Sequence, residues 1–150
     1  MKRSEQKISP LVQKAFKAAL STRARAHAPY SKFKVGAALV TTAGEIFTGC
    51  NVENASYGGT VCAERTAILK AVSEGEKKFS TIVVVTDAKN PATPCAFCLQ
   101  VMAEFLPPKA TIWIGDLKGL KTSYTFAELL PHPFGPNQLK DARATATEKN

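Results

Sequence analysis

The run Thr81-Ile82-Val83-Val84-Val85-Thr86 is β-branched at every position. Such residues favour strands, and a strand without polar alternation is typical of the middle of a sheet that is covered on both faces. Helices must therefore pack on both sides of that sheet. Apolar residues at helical spacing predict three of them, over residues 11–26, 61–73 and 95–106.

Shorter elements flank the central strand and its helices. Ser9-Pro10 and Thr93-Pro94 each predict an N-cap followed by proline at the first helical position. Further strands are predicted over residues 33–40, 45–51, 110–115 and 120–125, the first two as a hairpin, and a short last helix over residues 126–130. This order predicts an α/β fold, a three-layer α-β-α sandwich with a mixed, roughly five-stranded sheet.

Length and composition favour a single globular domain. The 150 residues are 45% hydrophobic and 21% charged, which suits one compact core. We expect one domain over residues 1–136 and a polar tail over residues 137–150, where helical periodicity ends. No apolar stretch approaches the ~20 residues of a membrane span. No signal peptide is recognisable, which predicts a cytoplasmic protein without a membrane partner.

The positive charge is concentrated at one end of the chain. The net charge is +8, and residues 1–34 carry nine basic residues against one acidic residue, whereas the remainder is balanced. A nucleic-acid-binding protein is expected to place its positive charge around the site that grips phosphates. We therefore interpret the basic segment as a solvated helix face, and a nucleic-acid partner is not expected.

Three of the four cysteines precede or begin predicted helices. Cys95 and Cys98 are three residues apart, a spacing that places two side chains on one helix face, and Cys62 begins the preceding helix. Three thiolates can bind Zn²⁺ and leave its fourth position to water, as catalytic zinc sites do. Cys50 could be a fourth ligand but more often such a residue fills a core. His27 is expected to be solvated or to cap a helix C-terminus, and His132 has no partner at metal-binding spacing.

Two charged residues follow Cys62 directly. Glu64 can share a site with Cys62 in the first turn of the helix, where a carboxylate beside activated water can move protons. Without the neighbouring cysteines, such an acid would be interpreted only as a side chain that interacts favourably with the positive, N-terminal end of the helix dipole. Arg65 stands three residues after Cys62, on the same face, and can donate a hydrogen bond to its thiolate.

The pattern Cys62-Ala63-Glu64-Arg65 with Pro94-Cys95-Ala96-Phe97-Cys98 resembles the cytidine deaminase family, in its small homotetrameric branch with three cysteine ligands. The resemblance covers roughly residues 10–140. It extends to residues 28–39, to residues 49–55, and to Glu128-Leu129-Leu130-Pro131 with Phe134-Gly135-Pro136.

This resemblance implies a function for each matching position. Cys62, Cys95 and Cys98 would bind one Zn²⁺ per subunit, with zinc-bound hydroxide attacking C4 of cytidine or deoxycytidine and Glu64 as the proton shuttle. The products would be uridine or deoxyuridine, as in pyrimidine salvage. The residues implied to bind substrate are Phe33 at the base, Asn51 and Glu53 at the ribose, and Tyr57 and Phe134 across the subunit boundaries of a homotetramer.

The chain departs from the family pattern after Cys95. Ala96, Phe97 and Leu99 replace residues that the family usually has, and Leu99 stands where a second arginine is common. Two alternatives remain open. One is a deaminase of a modified nucleoside or a nucleoside antibiotic, and the other is a structural zinc module that binds nucleic acid.

Overall fold

The computed structural model describes residues 7–140. A mixed five-stranded sheet has the order β2-β1-β3-β4-β5. The strands are β1 (Gly36–Thr41), β2 (Ile46–Cys50), β3 (Phe79–Val85), β4 (Thr111–Gly115) and β5 (Leu120–Thr125). The helices are α1 (Pro10–Arg23), α2 (Ala63–Ser73), α3 (Ala96–Phe105) and α4 (Phe126–Leu129), with one 3-10 helix at Tyr57–Gly59.

The sheet places β3 at its centre, as the β-branched run predicts. β1 is antiparallel to both β2 and β3, β3 is parallel to β4, and β4 is antiparallel to β5. The parallel pair β3 and β4 is connected through α3, the crossover that a parallel pair requires. The predicted α/β fold with a mixed, roughly five-stranded sheet is confirmed.

Separate apolar clusters cover the two faces of the sheet. On one face, Phe16 of α1 packs with Val83 and Trp113. On the other face, Ile68 of α2 and Met102 of α3 pack against the alternate residues of the same strands. Because successive strand side chains point to opposite faces, an uninterrupted apolar strand serves both clusters. The structure therefore has the three layers that the sequence predicts.

Several element boundaries differ from the prediction. The first strand begins at Gly36 and not at Phe33, and α1 ends at Arg23. The predicted cap at Thr93-Pro94 is wrong, because the N-cap of α3 is Cys95, in extended backbone. The Cys95 carbonyl oxygen accepts from the Leu99 nitrogen at 3.0 Å, as that of an N-cap residue does, and the Cys95 sulfur lies 3.5 Å from that of Cys98, one turn into the helix.

The two ends of the described region include parts of the expected polar tail and of the basic N-terminal segment. Residues 136–140, at the start of the expected polar tail, are helical, and residues 137–140 are exposed. Residues 141–150, which make up the rest of that tail, lie outside the described residues, as do residues 1–6 of the basic segment. Within residues 7–140 no helix has the length and hydropathy that a membrane span needs.

Gly49 sets how closely α2 approaches the sheet. A Cβ atom at this position would lie 2.4 Å from the Ala67 backbone nitrogen and 2.5 Å from the Ala63 backbone oxygen. Both atoms belong to α2, so neither can move without moving the helix that carries Glu64. Only a residue without a side chain fits between β2 and α2 at this separation.

We expect Gly49→Ala to lower the free energy of unfolding by about 1–3 kcal/mol, the usual cost of overpacking a dense core. Activity should fall as well, because α2 carries part of the site described below. Thermal or urea unfolding together with an activity assay measures both effects. Gly119→Ala is the matched control, since a Cβ there meets nothing within 4 Å. Equal stability of the two variants would contradict this account of Gly49.

Candidate metal centre and active site

Three cysteine sulfurs meet at one point beside the sheet. The Sγ atoms of Cys62, Cys95 and Cys98 all lie within 4.8 Å of one another, with Cys62 3.9 Å from Cys95. In the described part of the chain this is the one group of three such residues with metal-binding geometry. Sulfurs bound to one tetrahedral Zn²⁺ at 2.3 Å lie about 3.8 Å apart. The three cysteines therefore fit a zinc ion.

Two helix starts provide these ligands. Cys62 is the N-cap of α2 and Cys95 is the N-cap of α3, and neither side chain accepts a capping hydrogen bond from a backbone nitrogen of its helix. Cys98 stands one turn into α3 and is fully buried. Helix N-termini carry partial positive charge, which favours thiolates over thiols. Both helices thus turn their positive ends toward the three sulfurs.

The hydrogen bonds among the thiols divide the charge unequally. Hydrogen bonding from Cys98 is the main cause that lowers the pKa of Cys62 to about 5, with further help from Arg65 and Cys95. The same bond, together with burial, raises the pKa of Cys98 far above its usual value. The pKa values of Cys62 and Cys98 thus move in opposite directions.

Arg65 lies against the Cys62 sulfur, as its spacing predicts. Its Nη2 donates to the Cys62 sulfur at 3.7 Å and to the Thr60 carbonyl oxygen at 3.1 Å. The bond to Cys62 also raises the pKa of Arg65, so the guanidinium stays charged. A basic side chain that touches a sulfur ligand withdraws negative charge from it.

Glu64 is a buried acid at the second position of α2. Only 5% of the residue is exposed. This burial is the main cause that raises the pKa of Glu64 to about 7, and the nearby Cys62 thiolate raises it further. A carboxyl group with a pKa near neutrality can both accept and return a proton. Its location beside the N-cap cysteine agrees with the first-turn geometry expected from the sequence.

A cavity of about 240 Å³ opens beside the sulfurs. Glu64, which is 5% exposed, and Phe33, which is 40% exposed, both line it, so the cavity reaches from the interior to the surface. We call the part near Phe33 the rim. The residues that line it come from β3, from both ligand-bearing segments and from the loops near β1 and β2: Ser31, Phe33, Val35, Asn51, Glu53, Thr60, Cys62, Glu64, Val84, Thr86, Ala92, Thr93 and Cys95. Apolar and polar groups thus line the same cavity, as in small-molecule sites.

Asn51 holds the rim in place through its side-chain amide. Its Oδ1 accepts from the Val35 backbone nitrogen and its Nδ2 donates to the Phe33 carbonyl oxygen, both at 2.8 Å. Residues 33–35 therefore lie beside Asn51 without belonging to β1, which explains why the predicted strand began too early. One amide hydrogen of Asn51 is left for another acceptor.

Glu53 is fixed by the loop that precedes Phe33. The hydroxyl of Ser31 donates to Oε1, and the backbone nitrogens of Tyr30 and Ser31 donate to Oε2 at 2.9 and 3.2 Å. These bonds, that of the Ser31 side chain above all, lower the pKa of Glu53. Glu53 is therefore a carboxylate with a fixed orientation, and it retains acceptor capacity because an ionised carboxylate offers about four lone-pair sites.

Some predicted site residues lie outside this cavity. Tyr57 lines a neighbouring, more open cavity of about 420 Å³ that shares Ser31, Glu53 and Thr60 with the first. Phe134 lines neither, although its carbonyl oxygen accepts from Gln100 of α3 at 2.8 Å. Cys50 is half-buried and does not belong to the sulfur cluster.

Sequence reasoning missed several lining residues. No sequence pattern assigned a role to Ser31 or Thr60, and Thr86 was predicted only as the end of the central strand. Ser31 offered one signal, because a serine two residues before Phe33 can form a local turn, and its hydroxyl does accept from the Phe33 backbone nitrogen at 3.0 Å. The position of Thr86 in the cavity depends on packing between distant segments and has no local signal.

Comparison with known proteins identifies the family. Residues 10–114 match the model of the cytidine and deoxycytidylate deaminase zinc-binding region. The chain belongs to this family. A cytidine deaminase of Halalkalibacterium halodurans is 46% identical over 86% of this chain and 98% of its own, and one of Sporosarcina psychrophila is 44% identical over 87% and 96%.

A solved structure agrees with the sequence relatives. The crystal structure of cytidine deaminase from Burkholderia pseudomallei has a TM-score of 0.78 and 44% identity, covering 81% of this chain and 98% of that one. The activity of the chain is zinc-dependent hydrolytic deamination of cytidine, with one zinc per subunit. The resemblance seen in the sequence is confirmed.

We expect Cys95→Ser to weaken zinc binding about tenfold or more, because a hydroxyl replaces one of three thiolate ligands. Cys95 is exposed, so the fold should survive the change. Metal analysis after dialysis against a chelator measures the zinc that each chain retains. Cys50→Ser is the control and should keep its zinc. Zinc retention in the Cys95 variant, or loss in the Cys50 variant, would contradict the assigned ligands.

Proposed function

We propose that the cavity beside the sulfurs binds a free nucleoside, cytidine or deoxycytidine, with the pyrimidine at the buried end and the sugar at the rim. The arrangement of polar groups supports this orientation. The lining combines a buried acid, Glu64, with the aromatic ring of Phe33 and with the polar side chains of Asn51 and Glu53. A ring needs an apolar and aromatic wall, whereas a sugar needs hydrogen-bonding partners.

The rim also favours a nucleoside over a polynucleotide or a larger analogue. The remaining amide hydrogen of Asn51 and the free lone pairs of Glu53 can bind sugar hydroxyls without disturbing the rim. A fixed carboxylate at that place would repel the phosphates of a continuing backbone. The fixed amide of Asn51 and the fixed carboxylate of Glu53 are the observation that favours a free nucleoside. We infer that the 3′-hydroxyl, present in both substrates, is the group that Glu53 binds.

Glu64 is proposed as the proton shuttle of the hydrolysis. When bound by the three thiolates, zinc supplies a Lewis acid that lowers the pKa of a water molecule. Glu64 takes the proton of the attacking water and delivers it to N3 of the ring as C4 is attacked. It then helps to transfer a proton to the amine, so cytidine and water give uridine and ammonia. The raised pKa of Glu64 suits a group that must accept and release protons near neutrality.

We expect Glu64→Gln to lower kcat for cytidine by about 10²–10⁴-fold, the usual contribution of a positioned acid or base. The glutamine keeps the shape of the side chain but cannot shuttle a proton. The fall in absorbance as cytidine or deoxycytidine is converted measures the rate, and single-stranded DNA serves as the competing substrate.

Zinc content and the melting temperature of Glu64→Gln are the controls, and both should match those of the unchanged chain. Turnover close to normal in this variant would remove Glu64 from the mechanism. Deamination of single-stranded DNA in preference to the nucleosides would contradict the proposed substrate class.

We also propose that the protein is a cytoplasmic homotetramer whose sites are completed by neighbouring subunits. Tyr57 is 76% exposed and Phe134 is 56% exposed, and neither lines the cavity of its own chain. Large exposed aromatic side chains are suited to contact with a second chain. The bond from Gln100 ties the Phe134 segment to the helix that carries two ligands.

Mixing two inactive variants tests this assembly. Glu64→Gln supplies an intact Phe134, and Phe134→Ala supplies an intact Glu64. After the two are dissociated and reassembled together, we expect activity well above that of either variant alone, because hybrid sites contain both groups. Light scattering should give the mass of four chains. A monomer in solution, or no gain of activity on mixing, would contradict shared sites.

A further inference from the structure

Phe97 contacts the guanidinium that lies against the sulfur cluster. It is the second residue of α3, next to Cys98, and 76% of it is exposed. The Arg65 Cζ lies 5.8 Å from the centre of the Phe97 ring. A guanidinium within about 6 Å of an aromatic ring is attracted by the negative potential of the ring face. Neither the metal centre nor the proposed reaction assigns a role to Phe97.

The other contacts of Arg65 leave room for such a role. One nitrogen, Nη2, makes both hydrogen bonds of the side chain, to Cys62 and to Thr60. Its Nε is buried, and it is the one buried side-chain nitrogen or oxygen in residues 7–140 without a hydrogen-bond partner. The ring of Phe97 therefore provides an attraction where hydrogen bonding provides none.

The contact also joins the two ligand-bearing helices. Arg65 belongs to α2 and Phe97 to α3, so the pair connects the helix that begins at Cys62 with the helix that begins at Cys95. We propose that Phe97 is a positioning residue, whose ring holds the Arg65 guanidinium against the Cys62 thiolate and thereby strengthens the zinc site. This inference rests on the cysteine ligands argued above.

The charge at the site explains why an aromatic ring suits this position. Three thiolates around Zn²⁺ leave one net negative charge, and within residues 7–140 Arg65 is the one basic side chain in hydrogen-bonding distance of a cluster sulfur. A carboxylate in place of Phe97 would add negative charge and compete with Cys62 for the guanidinium. An aromatic ring attracts the guanidinium without adding negative charge and without competing with Cys62 for its hydrogen bonds. Leu99, buried at 9% exposure on the next part of α3, provides no donor.

Phe97→Leu and Phe97→Tyr separate the aromatic contact from simple apolar cover. We expect Phe97→Leu to release zinc to a chelator about two to five times faster, the range of a cation–π contact at an exposed site. In the cobalt-substituted protein, its thiolate-to-metal charge-transfer bands should shift. Phe97→Tyr should match the unchanged chain in both measurements. Leu69→Ala, which removes another exposed apolar side chain from α2, is the control and should alter neither.

Combining the Phe97 change with an Arg65 change tests whether Phe97 acts through Arg65. In an Arg65→Gln chain, Phe97→Leu should cause no further change in zinc release or in the cobalt spectrum. Normal release and spectrum in Phe97→Leu alone, an equal defect in Phe97→Tyr, or a full additional defect in the Arg65→Gln chain would each overturn the proposal. An unchanged chain that holds no zinc or leaves cytidine intact would refute the proposed function itself.

Discussion

Repulsion between sulfur anions is the constraint on which the site depends. The neighbouring sulfurs lower the pKa of Cys62, and the same neighbours together with burial raise the pKa of Cys98. Three thiolates within 4.8 Å need a cation between them, and two helix N-termini with one arginine reduce the remaining charge. The elements around the cluster are placed to meet this electrostatic requirement.

The fold meets the requirement by bringing helix starts and strand ends together. Both ligand-bearing helices pack on one face of the sheet, and the rim residue Asn51 directly follows β2. Gly49, two residues earlier, lets α2 approach that strand closely enough for Glu64 and Asn51 to line the same cavity. The acid and the proposed sugar-binding side chains therefore keep their separation because β2 and α2 are packed backbone against backbone.

The sequence predicts those parts of the site that depend on short-range geometry. Cys95 and Cys98 share one helical turn, and Glu64 follows an N-cap, so spacing alone places them correctly. The fold class followed from the uninterrupted strand. The Thr93-Pro94 cap was wrong because Cys95, and not Thr93, is the N-cap, and its carbonyl oxygen accepts from the Leu99 nitrogen. Pairing of Phe97 with Arg65 joins residues 32 positions apart, which no local pattern indicates.

The same electrostatics connects the arginine to the acid. Burial raises the pKa of Glu64, the Cys62 anion raises it further, and the charge of Arg65 acts in the opposite direction. A cation that offsets the negative charge of the sulfurs therefore also favours ionised Glu64. The position of the cation decides how strongly it acts on each group. Arg65 donates to the Cys62 sulfur and to the Thr60 carbonyl oxygen, so neither of these two hydrogen bonds goes to the carboxylate. Because Leu99 adds no second guanidinium, Arg65 is the basic side chain that acts on both the Cys62 sulfur and Glu64.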